Sequence, residues 1–385
     1  MLREGAKTAQ LPLDFRTYMC GAADLVRPYD ICRDNEFVSG FVYPPPSILY
    51  FHLLSRLPID AAFLIHSAIT ATCLAAAAWT IVKMTPVSRR SATCALLGAL
   101  AIAPIGTSFA AGQVNVMVMT FSVAAVYFAA HSRPASAGIA VALGFWLKLY
   151  PGVVPVLFLN RRKFPAVIAT CLATALLAVV ALLWSSLDLY LQYFLELLPH
   201  AQRYTMPGVA SSIAGIAAHA AAGGLQPIYH FVPIPMAIQL LSKAALVGGI
   251  LLALAHQRLT RDEQPLDSLN ILLATALVTA PNSWGYHYAL LFPMVLAQLA
   301  QAIERPSPML AVVVPCWLAL LLPSWTQPPG FMAEVPLLNV LVQGRYAFVA
   351  AILIGVTLFR ALPGSANRAG TSTRSDGELS PIPGS

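Results

Sequence analysis

The sequence predicts an all-α fold, a polytopic transmembrane helical bundle of about nine to eleven membrane segments that include a broken or re-entrant pair. Of the 385 residues, 58% are hydrophobic and only 10% are charged, whereas charged residues make up about 25% of a soluble domain. Apolar runs of about 20 residues, the length that crosses the hydrocarbon core of a bilayer, recur from residue 60 to residue 360. The composition therefore excludes a soluble globular protein.

A polar segment, residues 1–43, precedes the first apolar run. It holds a short amphipathic stretch, which predicts a helix at the membrane interface, and four aspartates, Asp14, Asp24, Asp30 and Asp34. It ends at Tyr43-Pro44-Pro45-Pro46, a stiff stretch to which we assign a structural role first. Nothing in an external segment of this kind would carry it across a membrane, so we expect an upstream first helix to be missing from this chain.

Residues 44–361 are predicted to form the transmembrane bundle, because apolar runs of spanning length recur there. The predicted spans lie near residues 60–82, 91–109, 113–131, 164–186, 236–257, 266–280, 286–303, 308–325 and 339–360. A further apolar stretch at residues 46–57 is too short to cross and begins with prolines. We therefore predict that this stretch lies at the interface or extends the next span.

Residues 135–159 form an apolar segment that a proline interrupts. A single crossing would place Arg133 and the Arg161-Arg162-Lys163 cluster on opposite sides of the membrane. Proline removes a helical N–H donor and disfavours helix at the residue before it, so we predict a break at Lys148-Leu149-Tyr150-Pro151 between two half-length helices. Broken backbone at membrane depth needs protein or a watery cavity around it, and Lys148 is predicted to lie in such a cavity.

The basic residues lie in short loops between the apolar runs rather than in one patch. With the spans above, more than half of the 23 Lys and Arg residues fall on one side, which the positive-inside rule makes the cytoplasmic side of the inner membrane. These residues are Lys83, Arg89, Arg90, Arg133, Arg161, Arg162, Lys163, Arg258, Arg261, Arg305, Arg360, Arg368 and Arg374. The net charge of +7 is therefore interpreted as a topology signal, and no nucleic-acid partner is expected.

This topology assigns a side to the polar parts of the chain. Residues 1–43 and the loop at residues 185–232 are predicted to be extracytoplasmic. The tail, residues 362–385, is rich in Gly, Ser and Pro and is predicted to be disordered and cytoplasmic.

The six cysteines are scattered along the chain. Four of them lie in apolar runs, where they behave as small hydrophobic side chains: Cys73, Cys94, Cys171 and Cys316. Cys20 and Cys32 share the front segment and can pair if it faces an oxidising compartment. No DxD or HExxH pattern occurs, so neither a metal nor another cofactor is expected.

The first motif with chemical potential is Asp14-Phe15-Arg16-Thr17-Tyr18. An aspartate held near the lipid headgroups and partly desolvated can accept a proton from a sugar hydroxyl as that oxygen attacks. The alternative is a solvated loop charge or a helix cap.

Gly112-Gln113-Val114-Asn115 lies where one predicted span ends and the next begins. Two amides at i and i+2 do not share a helix face. One of them is therefore expected to cap the helix start and the other to turn into a cavity, although a purely structural use of both is an open alternative.

Lys148 is the most informative single residue, because a lysine within a membrane segment is costly unless it is paired. An anion, such as the phosphate of a lipid carrier, would be a suitable partner. The alternative is that the side chain extends to the nearer interface, as we expect of Lys243.

A helix break, an indole, an imidazole and two phenols meet in the corner at residues 280–288. An aromatic belt at the interface would explain Trp284 and Tyr286. His287 could donate to a phosphate or sugar oxygen; a neutral histidine held by the backbone is the alternative.

Taken in order, these motifs resemble glycosyltransferase family 87, formerly DUF2029, whose members have the GT-C architecture. The resemblance runs from Asp14 to about residue 288 and rests on five motifs in order: Asp14-Phe15-Arg16-Thr17-Tyr18, Tyr43-Pro44-Pro45-Pro46, Gly112-Gln113-Val114-Asn115, Lys148-Leu149-Tyr150-Pro151 followed by Arg161-Arg162-Lys163, and the corner from Pro281 to His287. Two departures stand out. Tyr286 occupies the place where the first of two histidines often stands, and the helix that usually precedes the first motif is expected to be missing here.

The resemblance implies an inverting, metal-independent transfer of a mannosyl or arabinofuranosyl residue from a polyprenyl-phosphate donor to a lipid-linked or polysaccharide acceptor. The reaction would take place on the outer face of the cytoplasmic membrane, with membrane lipids around the bundle. Asp14 would be the base, and His287 would contact the donor phosphate.

The remaining site residues follow from this chemistry. Matching the charge of the leaving phosphate would fall to Lys148 and His287, with Arg16 and Arg203 as further candidates. The residues predicted to line the substrate cavity are Tyr43, Gln113, Asn115, Tyr150, Trp284 and Tyr286. Two other functions are open: a transporter or flippase of lipid-linked sugars, for which inverted repeats would be expected and none is evident, and an inactive family member.

Overall fold

The computed structural model describes residues 13–30, 41–224, 230–260, 264–305, 308–323 and 335–362. Several sequence predictions fall outside these ranges. They concern Asp34, Cys32, Arg261 and the tail from residue 363 onward. Cys20 is disulfide-bonded, but its predicted partner Cys32 is not among the described residues.

The N-terminal part of the chain forms two short helices, α1 (Leu13–Ala23) and α2 (Pro45–Ser55). Helix α2 starts directly after Pro44 and has Pro45 in its first turn, where the missing N–H costs nothing. Phe15 anchors α1, since its side chain is fully buried and its ring lies 5.2 Å from that of Phe63 in an edge-to-face contact.

The helices that follow α2 up to residue 181 correspond to the first predicted spans. They are α3 (Ile59–Met84), α4 (Arg89–Leu100), α5 (Ala103–Ala110), α6 (Asn115–Ala130), α7 (Pro134–Leu147), a 3-10 helix (Tyr150–Val153), α8 (Pro155–Asn160) and α9 (Phe164–Ala181).

The second half begins with the predicted loop at 185–232, which contains short helices and a two-residue strand that pairs with a strand at its end. The elements are α10 (Leu187–Leu191), a π-helix (Gln192–Leu197), α11 (Leu198–Arg203), β1 (Tyr204–Thr205), α12 (Ile213–Ala221), β2 (Val232–Pro233), α13 (Met236–Leu259), α14 (Pro265–Thr279), a 3-10 helix (Gly285–Leu291), α15 (Phe292–Glu304), α16 (Leu310–Leu321) and α17 (Pro336–Ala361). Strands β1 and β2 are antiparallel, with Tyr204 opposite Pro233.

Within the described residues, four helices are long and apolar enough to cross a membrane: α3, α9, α13 and α17. A fifth candidate is the pair α4 and α5, and shorter apolar helices stand at most of the other predicted spans. The prediction of an all-α, multi-pass bundle with a broken pair is therefore confirmed.

Two of the predicted membrane segments are interrupted in the structure rather than forming single helices. Helix α7 ends at Leu147, and Lys148 has an extended backbone with φ −161° and ψ 137°, as the downstream proline predicts. The second break was not predicted, because residues 91–109 were treated as one span. Helices α4 and α5 are bent by 53°, which is consistent with the missing N–H of Pro104 in the first turn of α5.

Helices α6, α14 and α15 form the centre of the bundle, since most of their side chains are buried. Helix α6 contacts α3, α7, α14 and the 3-10 helix at Gly285–Leu291. The start of α6 therefore lies close to both the break after α7 and the predicted corner.

The loop at residues 185–232 is tied to this corner by backbone and hydroxyl hydrogen bonds. Thr205 and Ser212 donate to the carbonyl of Pro281 at 2.8 and 2.9 Å. The N–H of Ser211 donates to the carbonyl of Ser283 at 2.8 Å. These bonds fix the loop against the residues that precede His287.

Candidate functional site

Asp14 lies in the first turn of α1 and reaches the turn that precedes α6. Its Oδ2 atom accepts a hydrogen bond of 2.7 Å from Nε2 of Gln113. Two motifs that are 99 residues apart in the chain therefore meet in one site.

Gly112 makes this approach possible. Its φ of +65° is strained for any residue with a side chain, and a Cβ atom there would lie 2.6 Å from Cβ of Phe15. Because Phe15 is adjacent to Asp14, this close contact lets the Asp14 carboxylate reach Gln113. The glycine of the motif thus has a steric function.

We expect Gly112→Ala to destabilise the protein by more than about 1 kcal/mol, because alanine is disfavoured at positive φ and would overlap Phe15. The measurement is the melting temperature in detergent. Gly106→Ala is the control, because Gly106 is helical and a Cβ there would have no neighbour within 4 Å. Equal melting temperatures for both variants would contradict the steric account.

The ammonium group of Lys148 contacts the amides of Gln113 and Asn115. Its Nζ atom donates to Oδ1 of Asn115 at 2.8 Å and to Oε1 of Gln113 at 3.4 Å. It also lies 5.8 Å from the centre of the Tyr43 ring, within range of a cation–π interaction. The ammonium group therefore points into a network of hydrogen bonds around Gln113 rather than towards a membrane interface.

Asn115 connects this network to the corner. While its Oδ1 atom accepts from Lys148, its Nδ2 atom donates to the carbonyl of Tyr286 at 3.1 Å. The first residue of α6 is thus fully buried and bonded on both sides of its amide. Asn115 thus lies between Lys148 and the corner, and its predicted place in the lining of a substrate cavity stays a prediction.

His287 is held in one orientation by the backbone. Its Nδ1 atom accepts from the N–H of Trp284 at 3.1 Å, so a neutral ring carries its proton on Nε2. Its ring packs against Tyr286 and Tyr150, with centroids at 4.7 and 6.2 Å. The backbone-held histidine and the Nε2–H donor, which were alternatives, are thus compatible.

The hydroxyl groups of two tyrosines complete the hydrogen bonds around Gln113. Tyr43 donates from its hydroxyl to Oε1 of Gln113 at 3.0 Å, and the hydroxyl of Tyr18 accepts from Nε2 of Gln113 at 2.7 Å. Tyr18 was not predicted to be in the site. The signal was present, since Tyr18 follows Asp14 by four residues and shares its helix face.

The surroundings of Asp14 act on its pKa in opposite directions. Burial raises the pKa of the carboxyl above its ordinary value, whereas hydrogen bonds from Gln113 and Tyr286 and the charge of Lys148 lower it. The net direction is upward. Within the described residues, Asp14 and Lys148 form no direct ion pair; Gln113 lies between them.

Three of the predicted site residues are less closely connected to the hydrogen-bond network around Gln113. Arg16 is two positions from Asp14 in α1 and therefore points to another face of the helix. Arg203 is exposed at the end of α11. Trp284 packs against Tyr286 with a centroid distance of 5.6 Å. Among the described residues, neither arginine forms a hydrogen bond or ion pair with the network, so their predicted phosphate contacts remain predictions.

The fold and the site define a multi-pass, all-α membrane protein whose polar site is shared by its first described helix, the break after α7 and the corner before α15. The chain belongs to glycosyltransferase family 87, whose family model matches residues 41–283. The predicted family is confirmed. The matched range contains Gln113 and Lys148, whereas Asp14 and His287 lie outside it.

Curated relatives come from mycobacteria. One is a polyprenol-phosphate-mannose-dependent alpha-(1-2)-phosphatidylinositol mannoside mannosyltransferase of Mycobacterium tuberculosis, 27% identical over 278 residues, which are 66% of this chain and 61% of the relative. A second is the corresponding pentamannoside mannosyltransferase of Mycolicibacterium smegmatis, 26% identical over 303 residues, which are 74% of this chain and 68% of the relative. A third, the mannoside enzyme of the same species, is 28% identical over 346 residues, which are 82% of this chain and 76% of the relative.

Proposed function

We propose that this protein transfers a mannosyl residue from a polyprenyl-phosphate donor to a lipid or polysaccharide acceptor on the outer face of the cytoplasmic membrane. The observation that carries the proposal is the connection of the Asp14 carboxylate and the Lys148 ammonium through one side chain, Gln113. Transfer from a phosphate leaving group needs a base for the acceptor and a positive charge for the phosphate. The names of the relatives favour mannose over arabinofuranose.

Asp14 is the base in this mechanism. As the acceptor hydroxyl attacks the anomeric carbon, its proton passes to the carboxylate of Asp14. The new bond joins the acceptor oxygen to the anomeric carbon, and the bond from that carbon to the phosphate oxygen breaks. Attack from the face opposite the phosphate inverts the configuration.

Lys148 and His287 act on the leaving group. The polyprenyl phosphate gains negative charge as the glycosidic bond breaks, and a fixed ammonium stabilises that charge in surroundings of low dielectric constant. The Nε2–H of His287 would donate to the same phosphate. Because Asn115 contacts both Lys148 and the backbone of Tyr286, the residue before His287, it fixes the position of the Lys148 ammonium relative to the His287 ring.

The test is a transfer assay in membranes that contain the overproduced protein. Polyprenyl-phosphate mannose labelled in the sugar is incubated with and without an acceptor lipid extract, and membranes without the protein are the control. We expect the label to move from the polyprenyl carrier into an acid-stable product only when protein and acceptor are both present.

Two outcomes would contradict the proposal. If the label crosses proteoliposome membranes while it stays on the polyprenyl carrier, the protein is a transporter. If a nucleotide sugar supports the same transfer in purified, carrier-free protein, the donor is wrong.

A further inference from the structure

The Gln113 side chain uses every hydrogen bond that a primary amide can make. Its Nε2 atom donates to Oδ2 of Asp14 and to the hydroxyl of Tyr18, both at 2.7 Å. Its Oε1 atom accepts from the hydroxyl of Tyr43 at 3.0 Å and from Nζ of Lys148 at 3.4 Å. An amide has two N–H donors and two acceptor positions, so none remains for a substrate.

The orientation of this amide follows from its partners. A carboxylate only accepts and an ammonium group only donates, so the nitrogen must face Asp14 and the oxygen must face Lys148. The reverse orientation would place donor against donor and acceptor against acceptor. The side chain is therefore held in a single arrangement between two groups of opposite charge.

The four partners come from three separate parts of the chain. Asp14 and Tyr18 belong to α1, Tyr43 precedes α2, and Lys148 lies in the break after α7. Gln113 itself stands before α6 and is 1% exposed. A single buried side chain thus joins the N-terminal helix to the broken membrane segment.

We propose that Gln113 is a positioning residue, which holds the Asp14 carboxylate at a fixed place relative to the Lys148 ammonium and contacts neither substrate. This inference rests on the proposed function. The sequence predicts that Gln113 lines the substrate cavity; because its amide has no free hydrogen-bonding position, a residue at that place would shape the cavity without binding the substrate.

The position also affects how Asp14 titrates. Among the described residues, the titratable groups that interact electrostatically with the carboxylate are Tyr18 on its own helix, Tyr43 before α2, Lys148 after α7 and Tyr286 in the corner. The N–H of Gln113 favours the ionised carboxylate and lowers its pKa. Loss of this donor therefore raises the pKa, and because the base must be ionised, activity should disappear at a higher pH.

The experiment compares Gln113→Leu and Gln113→Glu with the unchanged protein in the transfer assay, with kcat and KM measured across pH. We expect Gln113→Leu to lower kcat by about 100-fold, the order of effect that misplacement of a reacting group produces, with KM for donor and acceptor changed less than about threefold. The acid limb of the kcat profile should move up by about one pH unit. Gln113→Glu keeps the volume but places a second carboxylate beside Asp14, so its acid limb should move further.

Gln298→Leu is the matched control. Gln298 is also buried, and its Nε2 atom donates to the carbonyl of Leu353 at 3.0 Å and the hydroxyl of Thr357 at 2.8 Å, which belong to α17. It should share any general loss of stability but leave the pH profile unchanged. Melting temperatures in detergent would separate folding defects from the kinetic effect.

The outcomes distinguish this inference from the proposed function. If Asp14→Asn keeps the normal rate, Asp14 is not the base, and the positioning role of Gln113 is overturned as well. If Asp14→Asn is inactive while Gln113→Leu and Gln113→Glu keep the normal kcat and pH profile, only the positioning role is overturned. A large rise in KM at unchanged kcat would instead make Gln113 a substrate ligand and also overturn it.

Discussion

Replacement of Asp14 by asparagine is expected to lower the transfer rate by about 1000-fold, because a positioned general base contributes roughly 100- to 10,000-fold. Asparagine keeps the size of the side chain but cannot take the proton of the acceptor hydroxyl. The same amide could still contact Gln113, so the fold should be retained. The measurement is kcat for transfer to a lipid acceptor in purified, folded protein.

The control for this variant is Asp24→Asn. Asp24 closes a local turn, in which its carboxylate accepts from the N–H groups of Val26 and Arg27 at 2.8 and 3.1 Å, and it does not contact the network. Its replacement should leave kcat within about threefold of the unchanged protein. Equal losses in the two variants would show that any charge change in the N-terminal segment is harmful and that Asp14 has no special role.

The pH dependence gives an independent check on Asp14. Burial raises the pKa of its carboxyl, and the base works only when it is ionised. As the pH falls, the unchanged protein should therefore lose activity at a higher pH than an ordinary aspartate, with a pKa of about 3.9, would produce. An acid limb below that value would contradict the assignment.

Replacement of Lys148 by methionine is expected to lower kcat/KM for the donor by at least about 100-fold, because no fixed positive charge would then stabilise the leaving phosphate. Methionine has a similar length and no charge. The measurement is the transfer rate at several donor concentrations. Lys148→Arg should rescue only part of the loss, since the planar guanidinium cannot reproduce the contacts with Asn115 and Gln113.

Lys243→Met provides the comparison for Lys148. Lys243 lies in α13 and is exposed, and its replacement should change neither kcat nor KM by more than about twofold. A normal donor KM and kcat in Lys148→Met, with folding confirmed by its melting temperature, would remove Lys148 from the mechanism.

Much of the fold could be predicted from composition and prolines. Runs of spanning length predict helices because a bilayer leaves few other options for the backbone, and Pro151 correctly predicts the break beside Lys148. The bend between α4 and α5 was missed, although Pro104 is present, because residues 91–109 are long enough for one continuous span. Length alone cannot distinguish a straight helix from two short ones.

The site was predictable in its residue types and less so in its contacts. A lysine at membrane depth demands a partner, and polar motifs at the start and end of helices are natural candidates for one. Sequence does not show that the partners of Lys148 are the amides of Gln113 and Asn115, because these contacts join residues more than 30 positions apart. Tyr18 was missed although its spacing from Asp14 places both on one helix face.

The attachment of residues 185–232 to the carbonyls of Pro281 and Ser283 has a practical consequence. A displacement of that loop would pass through these three hydrogen bonds to the backbone beside Trp284, whose N–H orients the His287 imidazole. The loop thus helps to place the imidazole, although it lies far from the corner in sequence.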